Sequence, residues 1–598
     1  MARAPGEKQV EKQIEDTGES SVPTRIPFWR KVIDQPGITP EVENYRYAGS
    51  GTEADPFLVH WIPNDPRDPM NLGKTVRWSL AIMVAWTTFA VSFLSSGYTA
   101  GIPEITKHFG VSAEIATLGV SFYVLGFAIG PLIWAPLSEL YGRQIMFFIS
   151  YGLLTAFTAG GAGANSIVTV LVLRFFAGSF GSSPLSNSGG VIADIFADSE
   201  RGLAVCFFSA APFLGPTLGP ILGGFFVTAY GWRWLMGLLT IISGVFWILG
   251  TAVVPETYAP YLLRQRAAEL SRRTGKCYVS KSEHGKTKVT VGQNLKTALS
   301  RPWVLLILEP IVLLLSIYAA VIYGTLYMLF AAYPIVYQEQ RGWSQGIGGL
   351  PFLSLALGMV FAVVYTVFEN NRYQRVQARH NGRAPPETRL VSAIVGGVTV
   401  PIGLFWFAWT TNPSIHWMVS IAAGVPFGFG MVLLFLGIMN YLIDAYTMYA
   451  ASVLAANSII RSVFGAVFPL FTSYMYKNLG TNWASSVPAF LALACVPFPF
   501  VFYKYGPAIR ARCKFAAECE ENARREASER EQEDGITIEG VLSDTTDVRT
   551  TSDDASSIRQ QGDQQRMSGA TVGQQPHNGS PYNVDMEYSR ETLTEDVK

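Results

Sequence analysis

Charge is scarce in this chain. Asp, Glu, Lys and Arg make up 15% of its 598 residues and cancel to a net charge of zero, whereas an average soluble protein carries about 25%. That balance offers no overall attraction for a nucleic acid. Cysteine is sparse too. Cys206, Cys277, Cys495, Cys513 and Cys519 show no Cys-x-x-Cys spacing, so neither a disulfide framework nor a zinc site follows. The N-terminus, MARAPGEKQVEKQIEDTGESS, lacks the apolar core of a signal peptide, which leaves membrane insertion to the first apolar run. There is no nucleophile–base pair, metal cluster or phosphate-binding loop, which argues against an enzyme and implies no cofactor and no metal.

Apolar sequence is abundant. Hydrophobic residues make up 49% of the chain and aromatics 13%. Twelve runs are each long enough to span a bilayer, which takes about 20 residues: 78–98, 115–134, 145–164, 167–190, 203–229, 235–254, 303–333, 347–368, 390–409, 415–438, 446–471 and 483–503. Six precede the polar stretch Pro255–Pro302 and six follow it. The expected fold is therefore an all-α membrane protein of twelve transmembrane helices in two six-helix halves.

The division is 1–75 as a disordered N-terminal tail, 76–254 and 303–505 as the two halves, 255–302 as a central loop, and 506–598 as a largely disordered tail. Within that last part, Arg510–Arg530 reads as a solvated helix. Lys and Arg crowd the even-numbered loops, with ten in 255–302, while the odd-numbered loops hold only Lys107, Arg233, Arg341 and Lys477. The positive-inside rule then puts both termini and the central loop in the cytoplasm. Asn578-Gly-Ser, a glycosylation sequon, would carry no glycan there.

Charges inside spans cost several kcal/mol by most scales, so each needs a reason. Arg174 lies in the fourth run, Glu309 in the seventh directly before Pro310, and Arg461 in the eleventh one turn after Asn457. Asp194, Arg201 and Asp444 sit near run ends and read as structural pairing groups. No span carries a midplane histidine, and Glu309 is the only carboxylate well inside a run. If the protein couples to protons, Glu309 is the candidate to bind and release one. In the fifth run Gly215, Gly219 and Gly223 share one helix face, with Gly224 beside them and Pro216 and Pro220 as bends.

Between the second and third runs lies a short polar turn in Gly130–Arg143, carrying Glu139, Gly142 and Arg143. Residues 135–145 (APLSELYGRQI) resemble the signature loop of the major facilitator superfamily, with Leu140 in place of a basic residue. Arg174 with Gly178 and Gly181 resembles the family's arginine motif, and Gly219-Pro220-Ile-Leu-Gly223-Gly224 its antiporter motif. Pro255-Glu-Thr-Tyr resembles the start of the central loop, and Asn440–Tyr446 the junction between spans ten and eleven. Over about 60–505 the chain is similar to the fungal twelve-span drug:proton antiporters, in their polyamine and multidrug exporter branch.

The resemblance implies a proton-coupled efflux transporter for small organic compounds, namely drugs, toxins, fungal secondary metabolites or polyamines. It also implies proton transfer at Arg174, contact of Glu139 with the start of span eleven, and pairing of Arg143 with Asp194. Such contacts close the inner gate. The substrate cavity is placed near the midplane, walled by Tyr318, Tyr323, Tyr327 and Phe330, with Asn457 and Arg461 alongside; the alternative for these rings is lipid or a neighbouring helix. Aromatic rings there suit flat or cationic substrates. The expected partners are a small-molecule substrate, protons and the lipid bilayer, without nucleic acid. A monomer in the plasma membrane is expected, with the vacuolar membrane as the other location. A nutrient uptake carrier and a non-transporting membrane sensor are the alternatives; sugar-carrier motifs are absent.

Overall fold

The computed structural model describes residues 26–285, 291–379 and 384–525. The apolar runs are helical because, in hydrocarbon, each backbone N–H and C=O must be satisfied within its own segment. Among the described residues, eleven segments are long and apolar enough to cross a membrane. Lys74–Phe109, Ala113–Tyr141, Arg143–Ala162, Ile167–Ile195, Phe207–Tyr230 and Trp232–Val253 form the first six spans. Pro310–Glu339, Gln345–Arg379, Pro386–Thr410 and Trp417–Ala445 are the next four. The last segment, Thr447–Arg510, is 64 residues long and turns back at Gly480, whose φ is 72°. It is two spans, which makes twelve. With an even number of crossings, both ends of the bundle emerge on one face, called here the terminal face; the other is the distal face.

Part of the expected N-terminal tail is folded. Residues 26–73 form helices Phe28–Ile33 and Pro40–Asn44 and the strand Phe57–Val59, which pairs in parallel with Tyr278–Ser280 of the central segment. Ile38, Tyr47 and Val59 share a small core with Leu263, Ala267 and Leu270 of helix Ala259–Thr274. Arg266 and Asp65 form a fully buried ion pair across it. Taken alone, the tail has too few apolar residues to fold, but the central segment supplies the other half of its core.

The seventh run also departs from expectation. It breaks at Glu309, which adopts an extended conformation (φ −110°, ψ 98°) between helix Val291–Leu308 and the span that starts at Pro310. Proline disfavours the α conformation in the residue before it. Glu309 therefore sits at the terminal-face end of the seventh span rather than well inside it.

Finally, residues 514–525 are helical, and Cys513, Ala516 and Cys519 are buried, so this helix packs rather than standing in solvent. Its extension to Arg530, the tail beyond it and Asn578-Gly-Ser lie outside the described residues.

Candidate functional site

The turn between spans two and three is built around a buried acid. Gly142 has a φ of 90°, and a Cβ there would lie 2.3 Å from the Glu256 Oε2. Glycine therefore meets both the backbone conformation and the close approach. Glu256, 1% exposed, accepts hydrogen bonds from the backbone N–H groups of Arg143 (3.0 Å), Gln144 (3.0 Å), Thr257 (2.9 Å) and Tyr258 (2.9 Å). It places a carboxylate at the N-terminus of the third span, where the helix dipole favours negative charge. Burial raises the Glu256 carboxyl above the ordinary range, and the four N–H groups oppose that shift. Sequence reading missed this role; the only signal was an acid two residues beyond the sixth apolar run.

Arg143 points away from Glu256. Its Nε donates to Asp194 at 2.9 Å, its Nη1 donates to the Ser138 hydroxyl at 3.2 Å, and its guanidinium lies over the Tyr258 ring. The pairing with Asp194 is the one the resemblance implied. Glu139, by contrast, is exposed, and no hydrogen bond or ion pair to it is formed among the described residues.

The second half repeats the arrangement without repeating the sequence. Arg389 donates to Asp444 at 3.0 Å and stacks on Tyr373, while Glu369 accepts from the Ser392 N–H at 3.1 Å. These groups border a cleft of about 710 Å³ at the terminal face, lined by Val205 of the first half and by Glu369, Arg372, Tyr373, Asn440 and Asp444 of the second. Arg201 lies among side chains that are not described.

Arg174 is 2% exposed and has no acid for a partner among the described residues. Its three nitrogens donate to the carbonyls of Gly119 (3.0 Å), Leu94 (2.9 Å) and Ser95 (2.9 Å), between the rings of Tyr98 and Tyr123. It ties the first, second and fourth spans into one block.

The fifth span uses two faces. Cβ atoms on Gly215, Gly219 and Gly223 would lie 2.5 Å from the Phe89 carbonyl oxygen, 2.1 Å from the Ser96 Oγ and 2.9 Å from the Gly97 oxygen, so the first and fifth spans meet backbone to backbone. The Ser96 hydroxyl donates to the Pro216 carbonyl at 2.7 Å, satisfying an oxygen that a helix interrupted by proline leaves free. Gly224 faces the other half instead, where its Cβ would lie 2.8 Å from the Gln345 carbonyl oxygen. Next to it, Gly349 meets the Pro220 carbonyl, and Gln345 Nε2 donates to the Ala100 carbonyl. The halves are thus closed together at the distal face and parted at the terminal one.

At mid-depth the expected cavity residues divide. Tyr318 donates to the Gly397 carbonyl at 3.3 Å, toward the ninth span, and does not join the others. Tyr323 and Tyr327 are hydrogen-bonded at 3.4 Å, and Tyr327 reaches across the halves to the Ser95 hydroxyl at 2.7 Å. Phe330 packs edge-on against Tyr327, and Phe213 packs against both Tyr323 and Phe435. Arg461 covers the rings of Tyr323 (5.0 Å) and Phe435 (4.8 Å). One turn away, Asn457 donates to the Ser316 hydroxyl at 3.2 Å. Phe213 and Phe435 were not expected from the sequence, since apolar runs are full of phenylalanines and nothing in their spacing separates these two.

Glu309 stands apart from this cluster. Its fully buried carboxylate accepts from the Tyr446 hydroxyl at 2.8 Å and from the Phe515 N–H at 2.9 Å. It joins the start of the seventh span, the end of the tenth and the segment that follows the twelfth.

Comparison with known proteins agrees with this architecture. Residues 84–469 match the Major Facilitator Superfamily model. An MFS-type efflux pump of Trichophyton rubrum is 62% identical over 503 residues, covering 84% of each chain. A major facilitator superfamily multidrug transporter of Aspergillus fumigatus is 55% identical over 610 residues, covering 99% of this chain and all (100%) of its own. Among solved structures, the xylose transporter XylE from E. coli superposes with a TM-score of 0.52 at 16% identity, covering 72% of this chain and 98% of its own, a likeness of fold. This integral membrane protein belongs to the major facilitator superfamily.

Proposed function

We propose that the protein is a proton-driven exporter of small organic compounds that works by alternating access as a monomer in the plasma membrane, with both termini in the cytoplasm. The observation that carries this reading is the combination of a cleft of about 710 Å³ at the terminal face with closed packing at the distal face. The terminal face carries the Lys- and Arg-rich loops, so the opening is toward the cytoplasm, where an exporter loads. The exposed Glu139 fits that state, since its expected partner belongs to a closed inner gate. The relatives named as an efflux pump and a multidrug transporter support export over uptake.

Proton coupling is assigned to Glu309. Its carboxylate is held by neutral donors, among them Tyr446, the Phe515 N–H and the Cys513 thiol, with no cation in ion-pair contact among the described residues. Protonation removes the negative charge that strengthens the bonds from Tyr446 and the Phe515 N–H and so loosens the segment after the twelfth span from the seventh. Arg174 contributes by keeping three spans of the first half rigid while the halves rock.

The test is retention in energised cells, with and without the protein, of azoles, polyamines, cycloheximide and an endogenous metabolite extract. Lower retention that a protonophore abolishes is the expected result, and Glu309→Gln is expected to remove it. Equal retention across the panel rejects the export reading for those compounds. Export that persists in Glu309→Gln rejects the assignment of the proton site alone.

A further inference from the structure

Arg461 is half-buried at mid-depth, and no acceptor answers its charge among the described residues. Arg174 has three carbonyls, Arg266 has Asp65, Arg143 has Asp194 and Arg510 has Glu387. Arg461 makes no hydrogen bond and no ion pair among the described residues, and its buried Nε has no partner. Its guanidinium lies over the faces of Tyr323 and Phe435. One turn back on the same helix face, Asn457 is fully buried with its Oδ1 also unpartnered. Buried polar groups are nearly always bonded, yet the half-buried Arg461 guanidinium keeps its Nε sealed from solvent with no acceptor among the described residues.

We propose that the missing partner is the transported compound, and that it is a flat aromatic or heteroaromatic carboxylate. The proposal rests on the exporter reading and names the class of substrate for that same site. The carboxylate bonds the Arg461 guanidinium, which offers planar, forked donors that suit two oxygens. The Asn457 Oδ1 accepts from a hydroxyl or N–H elsewhere on the molecule. The ring packs in the cluster of Phe213, Tyr323 and Phe435, which joins the two halves at mid-depth.

A cationic substrate is disfavoured at this spot. Arg461 already covers the Tyr323 and Phe435 faces that would hold a cation, and a second positive charge beside it would be repelled. Access is from the terminal face, because Leu436 and Asn440, which follow Phe435 on the tenth span, line the open cleft.

The experiment is equilibrium dialysis of the purified full chain in detergent against three probes of one shape: 1-naphthoate, the neutral 1-naphthamide and the cationic 1-naphthylmethylamine. Naphthoate is expected to bind roughly ten- to hundredfold more tightly than the amide, the range for a hydrogen bond to a charged group, and the amine is expected to bind worst. Arg461→Lys should keep part of the preference, and Arg461→Gln should abolish it, so that naphthoate and naphthamide bind alike. Failure of naphthoate to bind, equal binding of all three probes, or naphthoate binding undiminished in Arg461→Gln would overturn the proposal. If Arg461→Gln does not elute as a folded monodisperse protein, the wild-type charge series and Arg461→Lys decide. Proton-driven efflux of amines only, in the cell assay, would sink this inference while the exporter reading stands.

Discussion

Glycine at 142 and glutamate at 256 form one device, and a double-mutant cycle measures it. Glu256→Ala strips the acceptor from four backbone N–H groups, those of Arg143, Gln144, Thr257 and Tyr258. Each unsatisfied buried donor costs roughly 1–3 kcal/mol. Water entering the vacated space, together with relief of the buried charge, offsets much of that sum, leaving a net loss of about 3 kcal/mol. Gly142→Ala meets two obstacles. Its backbone, at φ 90° and ψ 156°, lies in a region that is essentially glycine's alone, which costs about 1–3 kcal/mol. The new methyl would also sit 2.3 Å from the Glu256 Oε2 and push that carboxylate off its donors. Only the second obstacle vanishes when Glu256 is absent. The double variant should therefore be more stable than the two losses summed, by about 1–2 kcal/mol. The assay is unfolding of the purified protein in mixed micelles with rising denaturing detergent, followed by tryptophan fluorescence. Additivity within about 0.5 kcal/mol would refute the coupling. A Glu256→Ala variant as stable as wild type would refute the capping role itself.

The same acid sets a pH dependence. Its carboxyl titrates higher folded than the ordinary glutamate value of about 4.3. The folded state therefore holds the proton longer, and stability falls as pH rises from about 4.3 to the folded value, then levels off. Glu256→Gln should flatten that slope in thermal melts across the window; an unchanged slope assigns it to other groups. Gly219→Ala places a methyl 2.1 Å from the Ser96 Oγ and 2.7 Å from the Gly97 nitrogen, driving the first and fifth spans apart. It should abolish efflux while surface expression persists, and wild-type efflux would show the contact to be slack. Arg266→Ala leaves Asp65 buried without its cation, a loss of roughly 3–5 kcal/mol. Limited proteolysis should then cut within 26–73 many times faster, whereas unaltered protection would mean that the apolar core alone holds the segment.

The membrane class, the count of twelve spans, the two halves and the fifth-span glycine face were legible in the chain before any folding was considered. Each of these is written in local composition or helical periodicity: a run of about 20 apolar residues has few other fates, and glycines four apart must share a face. The Arg143–Asp194 pair was also legible, through the resemblance of the turn to a known loop. Tertiary structure alone decided the rest. The N-terminal segment folds only because a strand and a helix some two hundred residues later complete its core, a partnership invisible to any local window. Glu256 gained its role because four N–H groups converge on it from two chain segments. Tyr318 turned toward the ninth span while Phe213 and Phe435 joined the cluster of Tyr323 and Arg461, since which face of an all-apolar helix meets its neighbours is set by packing and not by polarity. Glu309 moved from the midplane to the terminal face because Pro310 ended one helix and began another. A proline in a hydrophobic run reads equally as a kink or a boundary until the neighbouring segments are in place.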